Sequence, residues 1–423
     1  MGTETERKRM TMRKNLLLLA LLPMLGLHAQ QLEGSWKGTL NVGLQKLTMV
    51  LHIDKDKSSV TIDIPEQGGE NIPMEVKHLS ADSIHVTLSK NNASYEGKLN
   101  DGQLKGVFKQ NILALPLSFE LGDVVVNRPQ EPHPPYPYTT EEVRFVNPVA
   151  NDTLAGTLTY PIGFKKKKAP VVLMVTGSGP QNRDEQVFRH KPFLVLADWL
   201  ARHGIASLRY DDRGTGASTG DFGDATTADF ADDARAGIQF LRNRKEFRKV
   251  GIIGHSEGGA IAFMLGSEAV PDFIVSLAGP AGRIDTMMVS QLNLIGRSQG
   301  MTQDMVKTTK DARNYLKMAD KSKWMDYFID MDLSPYVRKT FCPVLALGGE
   351  KDLNVPPSFN TKALEDNLPQ NKLNVIKVYP GLSHLFHHCT TGNPSLAFSI
   401  EETISPEVLN DISGWILSLG KKK

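Results

Sequence analysis

The sequence predicts two unlike folded units: a small all-β domain, followed by a mostly parallel α/β sheet with helices on both faces and a helical lid. Three observations carry this expectation. Residues 30–122 hold short runs of alternating apolar and polar residues separated by turn signals, the period of half-buried strands. Residues 127–139 contain five prolines, the mark of a stiff extended linker and the best domain boundary in the chain. From Glu141 onward, strand-like and helix-like segments alternate, the pattern of a parallel sheet covered on both faces.

In the first unit the strand-like runs are 47–53, 59–64, 83–88 and 103–108, with turns at Asp54-Lys55-Asp56, Gln67-Gly68-Gly69, Asn91-Asn92 and Asn100-Asp101-Gly102. This spacing predicts a β-meander or half-barrel, with Trp36 under the first strand as a core residue. The linker is taken as 123–140 and the second unit as 141–423. Its strands are expected at 142–146, 154–160, 170–176, 205–210, 250–254, 273–278, 343–347 and 374–379. Helices are expected at 193–203, 227–243 and 407–419. Residues 281–340 interrupt the rhythm and read as helical throughout. Seven of the fifteen methionines lie there, with Trp324, Tyr327 and Phe328, which suits a lid that repacks around varied apolar ligands.

Residues 1–29 read as an export signal. Arg13 and Lys14 precede the apolar stretch from Leu16 to Leu27, and the small residue Ala29 marks a cleavage site before Gln30. Met12 is an alternative start, and an uncleaved N-terminal anchor is the alternative reading of the segment. The full chain of 423 residues has a net charge of +2, but residues 1–29 hold five of the 49 basic and two of the 47 acidic residues. The remainder is near neutral, without the basic stripe that nucleic-acid binding requires. Lys165 to Lys168, the interior basic run, reads as a solvated turn. Cys342 and Cys389 are either a disulfide, which an oxidising compartment would permit, or two free thiols. After signal removal no membrane span is expected; a homodimer is compatible with the sequence.

The chemistry concentrates at Val250-Gly-Ile-Ile-Gly-His-Ser-Glu-Gly-Gly-Ala260. An apolar strand breaks at Gly254 and a helix-compatible stretch follows, so Ser256 sits in G-x-S-x-G on a strand–turn–helix corner. The turn lifts Oγ clear of the sheet, and the Glu257 N–H points to the same spot from the helix N-terminus. A second G-x-S-x-G, around Ser218, follows the polar turn Tyr210-Asp-Asp-Arg-Gly214 and has no strand running into it, so Ser218 reads as a loop serine. A serine nucleophile needs a base and a group that orients the base. Asp352, just past the strand 343–347, and His384, in the turn after 374–379, supply them, and the order Ser, Asp, His is that of nucleophile-elbow enzymes. Glu350 is the rival acid and His387 and His388 the rival bases. His255 is expected to pack on the opposite side of the elbow, and His203 to end a helix.

On these motifs, residues 140–420 resemble the α/β-hydrolase superfamily, particularly its carboxylesterase and serine-aminopeptidase-like branches. The resemblance implies Ser256 as nucleophile, His384 as general base and then acid, and Asp352 as the orienting carboxylate. Thr176-Gly-Ser-Gly-Pro-Gln-Asn-Arg-Asp-Glu185 looks like the family's oxyanion loop, with Thr176 where a histidine is common; the match implies Ser178 N–H as second oxyanion donor beside Glu257 N–H. Arg183 and Asp184 are read as a pair that holds this loop, and the Asp211-Asp212-Arg213 turn as structural. The expected function is an exported serine esterase acting on short to medium acyl esters, with no metal or cofactor. A serine peptidase of the same fold, acting on short peptides through a carboxylate such as Glu257, Asp326, Asp330 or Asp332, is the alternative, and a non-catalytic binding protein is the third reading.

Overall fold

The computed structural model describes residues 32–420, apart from residues 44, 57 and 58. The expected export signal lies outside these residues. The first unit is a closed barrel of eight antiparallel strands: β1 (Gly34–Val42), β2 (Gln45–Ile53), β3 (Val60–Ile64), β4 (Gly69–Leu79), β5 (Ser83–Leu88), β6 (Ala93–Asn100), β7 (Gln103–Gln110) and β8 (Leu113–Leu121). It is not a half-barrel, because β1 pairs back onto β8 with Trp36 opposite Leu121 and Gly38 opposite Phe119. The period-two pattern concealed the extra strands for a physical reason. β4 buries only Met74 outright, and β8 carries Pro116 within its alternation. Closure removes both sheet edges.

Inside the barrel, Trp36, Tyr95 and Phe119 are almost wholly buried. The Trp36 indole N–H donates to Glu33 O (3.2 Å), and the Tyr95 ring meets Phe119 edge-on at 5.0 Å. The Tyr95 hydroxyl donates to the carbonyls of Leu104 (3.0 Å) and Leu117 (3.3 Å), a polar tie between β7 and β8 inside an apolar core.

The second unit runs β9 (Thr139–Asn147), β10 (Asp152–Tyr160), β11 (Val171–Val175), α1 (Pro192–Arg202), β12 (Ala206–Tyr210), α2 (Thr227–Asn243), β13 (Val250–His255), α3 (Glu257–Ser267) and β14 (Ile274–Leu277). It continues with α4 (Ile284–Ser298), α5 (Thr309–Ala319), α6 (Lys323–Phe328), α7 (Ser334–Arg338), β15 (Val344–Gly349), α8 (Pro357–Asn367), β16 (Val375–Tyr379) and α9 (Pro406–Ser418). The sheet order is β16-β15-β14-β13-β11-β12-β10-β9, parallel from β12 to β16. Alternation sorts the helices. Val171, Leu173 and Val175 pack with α2 and α3 on one face, while Val172 and Met174 pack with α1 and α9 on the other. α4 to α7 form the insertion between β14 and β15; it is four helices with loops between them, rather than helical throughout.

The proline-rich segment is held along its length. Arg128 donates to the carbonyls of Arg189 (2.8 Å), Phe188 (3.2 Å), Phe398 (2.8 Å) and Ile400 (2.6 Å). Gln130 accepts from the amides of Thr403 (2.6 Å) and Ile404 (3.1 Å). Cys342 and Cys389 are free thiols, and the lysines 165–168 form an exposed turn.

Tyr95→Phe removes the hydroxyl bonded to Leu104 and Leu117 with no change in ring burial. Its expected cost is about 1 kcal/mol of barrel stability, read as a lower urea midpoint. An unchanged midpoint would show that this hydroxyl does not hold the closing strands.

Candidate active site

The corner at Ser256 is built by three backbones in close approach. Ser256 has φ 51° and ψ −118°, in the left-handed half of backbone space, and its N–H donates to Leu277 O at 2.9 Å. A Cβ on Gly254 would lie 2.0 Å from Gly258 O, and one on Gly258 would lie 2.1 Å from Val175 O. Both positions therefore have to be glycine for β13, α3 and β11 to meet, and their meeting holds Ser256 in its strained conformation.

Asp352 and His384 come from the loops after β15 and β16. These loops are laced together by Glu350 N–H to Tyr379 O (2.9 Å) and Lys351 N–H to Leu382 O (2.8 Å). The Asp352 side chain is fully buried. Its Oδ1 accepts from the amides of Asn354 (2.8 Å) and Val355 (2.9 Å), and its Oδ2 lies 2.8 Å from His384 Nδ1. An ionised carboxylate there keeps the imidazole proton on Nδ1 and leaves Nε2 as the basic nitrogen. Ser256 and His384 line one cavity of about 320 Å³; no hydrogen bond joins them among the described residues. Such bonds often tighten only when substrate is bound.

The rivals have other work. Glu350 accepts from the Gly381 amide (2.8 Å), His388 pairs with Glu402, and His203 caps the end of α1. Ser218 Oγ donates to Asp211 O (2.7 Å) and accepts from Ala155 N (2.9 Å), inside its turn. His387 is buried against His190, ring centroids 5.5 Å apart, with Ser383 Oγ 3.1 Å from its Nδ1.

Ser256, Asp352 and His384 thus stand in chain order after β13, β15 and β16, at the same edge of one parallel sheet. The serine aminopeptidase family, S33, matches residues 191–389, a span that includes all three. The domain has the α/β-hydrolase fold. The chain is 23% identical over 280 residues to esterase EstD of Thermotoga maritima. That match takes in 62% of this chain and spans 65% of the relative's length. Among solved structures, it is similar to an esterase of Pyrococcus furiosus (16% identity, TM-score 0.46, 70% of this chain and 99% of the other). It is also similar to Est1E of Butyrivibrio proteoclasticus bound to ferulic acid (16% identity, TM-score 0.47, 66% of this chain and 100% of the other).

Within the α/β-hydrolase domain, the loop after β11 is braced from below. Thr176 Oγ1 donates to Asp212 Oδ1, and the Gln181 amide to Asp212 Oδ2, both at 2.9 Å. Burial pushes the Asp212 carboxyl well above the usual carboxylate range. Arg183 and Asp184 do not pair with each other. Arg183 binds Asp211 (2.8 Å) and Glu142, while Asp184 binds Arg209, because β12 and the turn after it bring Arg209 and Asp211 to this loop as separate partners. The amides of Ser178 and Glu257 donate to no other group among the described residues, and both residues line the cavity.

The Glu257 side chain is engaged by protein partners. Oε1 accepts from Thr227 Oγ1 (2.6 Å) and from Trp324 Nε1 (2.8 Å), which ties α6 of the lid to the first turn of α3. Ser178 is a further hydrogen-bond partner, and burial holds the Glu257 carboxyl above its ordinary range. Of the lid methionines, Met287, Met288 and Met325 line the cavity; Met301 and Met318 are exposed.

His255 does not pack on the far side of the elbow. Its ring lies 4.7 Å from that of His384, and its Nε2 is 3.1 Å from His384 O. Its Nδ1 is 2.8 Å from Glu185 Oε1. Both ring nitrogens face oxygen acceptors, an arrangement that favours the doubly protonated ring. Burial pulls its pKa down, but the charge and hydrogen bond of Glu185 outweigh that, and the net shift is upward. Glu185 Oε1 also accepts from the Gly177 amide at 2.9 Å. Sequence reasoning gave Glu185 no role, since an acid at the end of a glycine-rich loop has no periodic signature.

His190 and His387 are buried neutral, and burial lowers their pKa values to about 3 and about 4. The unfolded chain protonates both near pH 6.5, so it binds more protons than the folded protein below that pH. Stability is therefore full above about pH 6.5 and falls toward pH 4, at about 1.4 kcal/mol per unit for each histidine. His387→Asn is expected to reduce the loss of urea stability between pH 7 and pH 5 by about 2 kcal/mol. An equal loss in both proteins would show that His387 charges freely in the folded state.

Proposed function

We propose that this protein is an exported serine hydrolase that cleaves carboxylic esters of short to medium acyl chain through an acyl-enzyme on Ser256. The observation that carries the reading is the Asp352–His384 pair. It is buried and saturated with hydrogen bonds on its acid side, and its free imidazole nitrogen opens onto the cavity that holds Ser256. Ser256 Oγ attacks the ester carbonyl carbon as His384 Nε2 takes its proton, and the amides of Glu257 and Ser178 receive the oxyanion. The C–O bond to the alcohol breaks as His384 returns the proton to the leaving oxygen. Water, deprotonated by His384, then attacks the acyl carbon and releases the acid and Ser256.

The aminopeptidase reading is favoured by the name of the matching family. It asks for a carboxylate free to bind the substrate's ammonium group. The acids lining the cavity are Glu185 and Glu257, and both are committed to protein partners. Asp326 pairs with Lys317, Asp330 with Arg313, and Asp332 accepts from the Ser334 amide. The ester reading is further supported by the esterase name of the Thermotoga maritima relative. Export rests on the sequence of residues 1–29 alone.

A panel of p-nitrophenyl esters from acetyl to palmitoyl, beside amino-acid p-nitroanilides, tests the choice. Turnover is expected on the acetyl to octanoyl esters and not on the anilides; the reverse pattern would overturn the ester reading. Ser256→Ala is expected to abolish fluorophosphonate labelling, and Asp352→Asn to lower kcat on the order of 10³–10⁴-fold. For export, the mature N-terminus is expected at Gln30 by mass spectrometry, and an exported protein still starting at Met1 or Met12 would overturn cleavage.

A further inference from the structure

We infer that the β-barrel is a positioning device for the active site: Asp63 and Glu70 clamp residues 186–189 and thereby hold Glu185, which in turn holds the Gly177 amide and His255. This rests on the reading of Ser256 and His384 as the reacting pair. No barrel residue among those described lines the cavity, so the barrel acts on the site through what it grips.

The grip is specific. Glu70 accepts from the Arg189 backbone amide (2.6 Å) and from the Gln186 side-chain amide. Asp63 Oδ2 meets Arg189 Nη2 at 2.8 Å and His52 Nε2 at 3.0 Å, and its Oδ1 accepts from the Asn71 amide at 2.7 Å. These bonds outweigh burial and hold the Asp63 carboxyl below its usual range. Arg189 also reaches Asp123 (3.1 Å) and the Val124 carbonyl. From the linker, Arg128 takes the carbonyls of Phe188 and Arg189. Gly68 of the barrel lies beneath the Phe188 ring, where a Cβ would come within 3.4 Å, and Phe188 and Val187 form part of the cavity wall.

The held segment is one that would not keep this shape unaided. Glu185 (φ 54°), Phe188 (φ 51°) and Arg189 (φ 56°) all adopt left-handed conformations that side-chain-bearing residues rarely take. Such conformations persist where the surroundings over-determine them. The Glu185 amide is held inside the loop by Asn182 O (2.9 Å), whereas Phe188 and Arg189 are held from outside the α/β-hydrolase domain: by Glu70, Asp63 and Gly68 from the barrel, and by Arg128 from the linker. Glu185 is next to the clamped residues and is 1% exposed, so its carboxylate has little freedom once they are set. Its two bonds reach the loop that carries Ser178 and the ring that bears on His384. A shift of Glu185 would therefore move both the oxyanion loop and the base.

The test is a double-mutant cycle in the full chain, read by steady-state hydrolysis of p-nitrophenyl butyrate and by the rate of fluorophosphonate labelling. Glu70→Ala is expected to lower kcat and the labelling rate about 10–100-fold with KM changed less than about threefold. Glu70→Gln keeps an acceptor for the Arg189 amide and is expected to recover most of the loss. Glu185→Gln is expected to lower kcat at least as far, and Glu70→Ala with Glu185→Gln to be no slower than Glu185→Gln alone. Thermal unfolding followed by circular dichroism checks that each variant is folded; if Glu70→Ala is not, Arg189→Lys, which cannot reach Asp63, Asp123 and the Val124 carbonyl together, takes its place in the cycle. Wild-type kcat and labelling in folded Glu70→Ala, or additive losses in the double variant, would overturn the inference and leave the hydrolase reading intact. Failure of the unaltered protein to label or hydrolyse would overturn the hydrolase reading and the inference with it.

Discussion

Ser256 sits where a strand, a helix and a neighbouring strand come within van der Waals limits of one another, and most of the second unit follows from that crowding. Gly254 must admit the backbone of Gly258, and Gly258 must admit Val175 O. The serine's left-handed conformation is the result, and a buried helix α3 directly behind it keeps the corner from relaxing. The parallel sheet then has to place its later strands so that the loops after β15 and β16 come to the same edge. The free amide at the start of α3 adds the positive end of a helix to the site.

Around this corner the structure arranges two histidine–carboxylate pairs with different tasks. In the Asp352–His384 pair the acid has its oxygens satisfied and the imidazole keeps one nitrogen open. The Glu185–His255 pair is closed at both ring nitrogens, so His255 offers no open nitrogen to act as a base; it joins two loops. The two rings are only 4.7 Å apart, yet their hydrogen-bond environments leave one with an open nitrogen and the other with none. Glu257 shows the same division within one residue. Its amide faces the cavity, and its side chain is spent on anchoring Trp324 of the lid.

Much of this was legible in the sequence because it depends on local rules. Period-two strands, the alternation of strands and helices, and glycines flanking a serine at a strand–helix break each state a backbone requirement in neighbouring residues. Asp352 and His384 were readable because strand ends are readable and partners at one sheet edge come from strand ends. Strands β4 and β8 were not, since β4 buries only Met74 outright and β8 is interrupted by Pro116. The pairing of Arg183 with Asp211, of Asp184 with Arg209, and the inward turn of His255 all depend on which strands lie side by side.

By itself, then, the sequence determined the classes of the two units, the elbow and the order of the three candidate catalytic residues, because each is encoded within a few residues of chain. Only the tertiary structure decided that the barrel closes, that Glu185 and His255 brace the loop after β11 and the His384 loop, and that the proline-rich segment is stapled to the α/β-hydrolase domain. Those features join residues as far apart as Glu70 and Arg189, or Arg128 and Ile400. Contacts of that kind leave no periodic trace, since their geometry exists only after the chain has folded and brought the partners together.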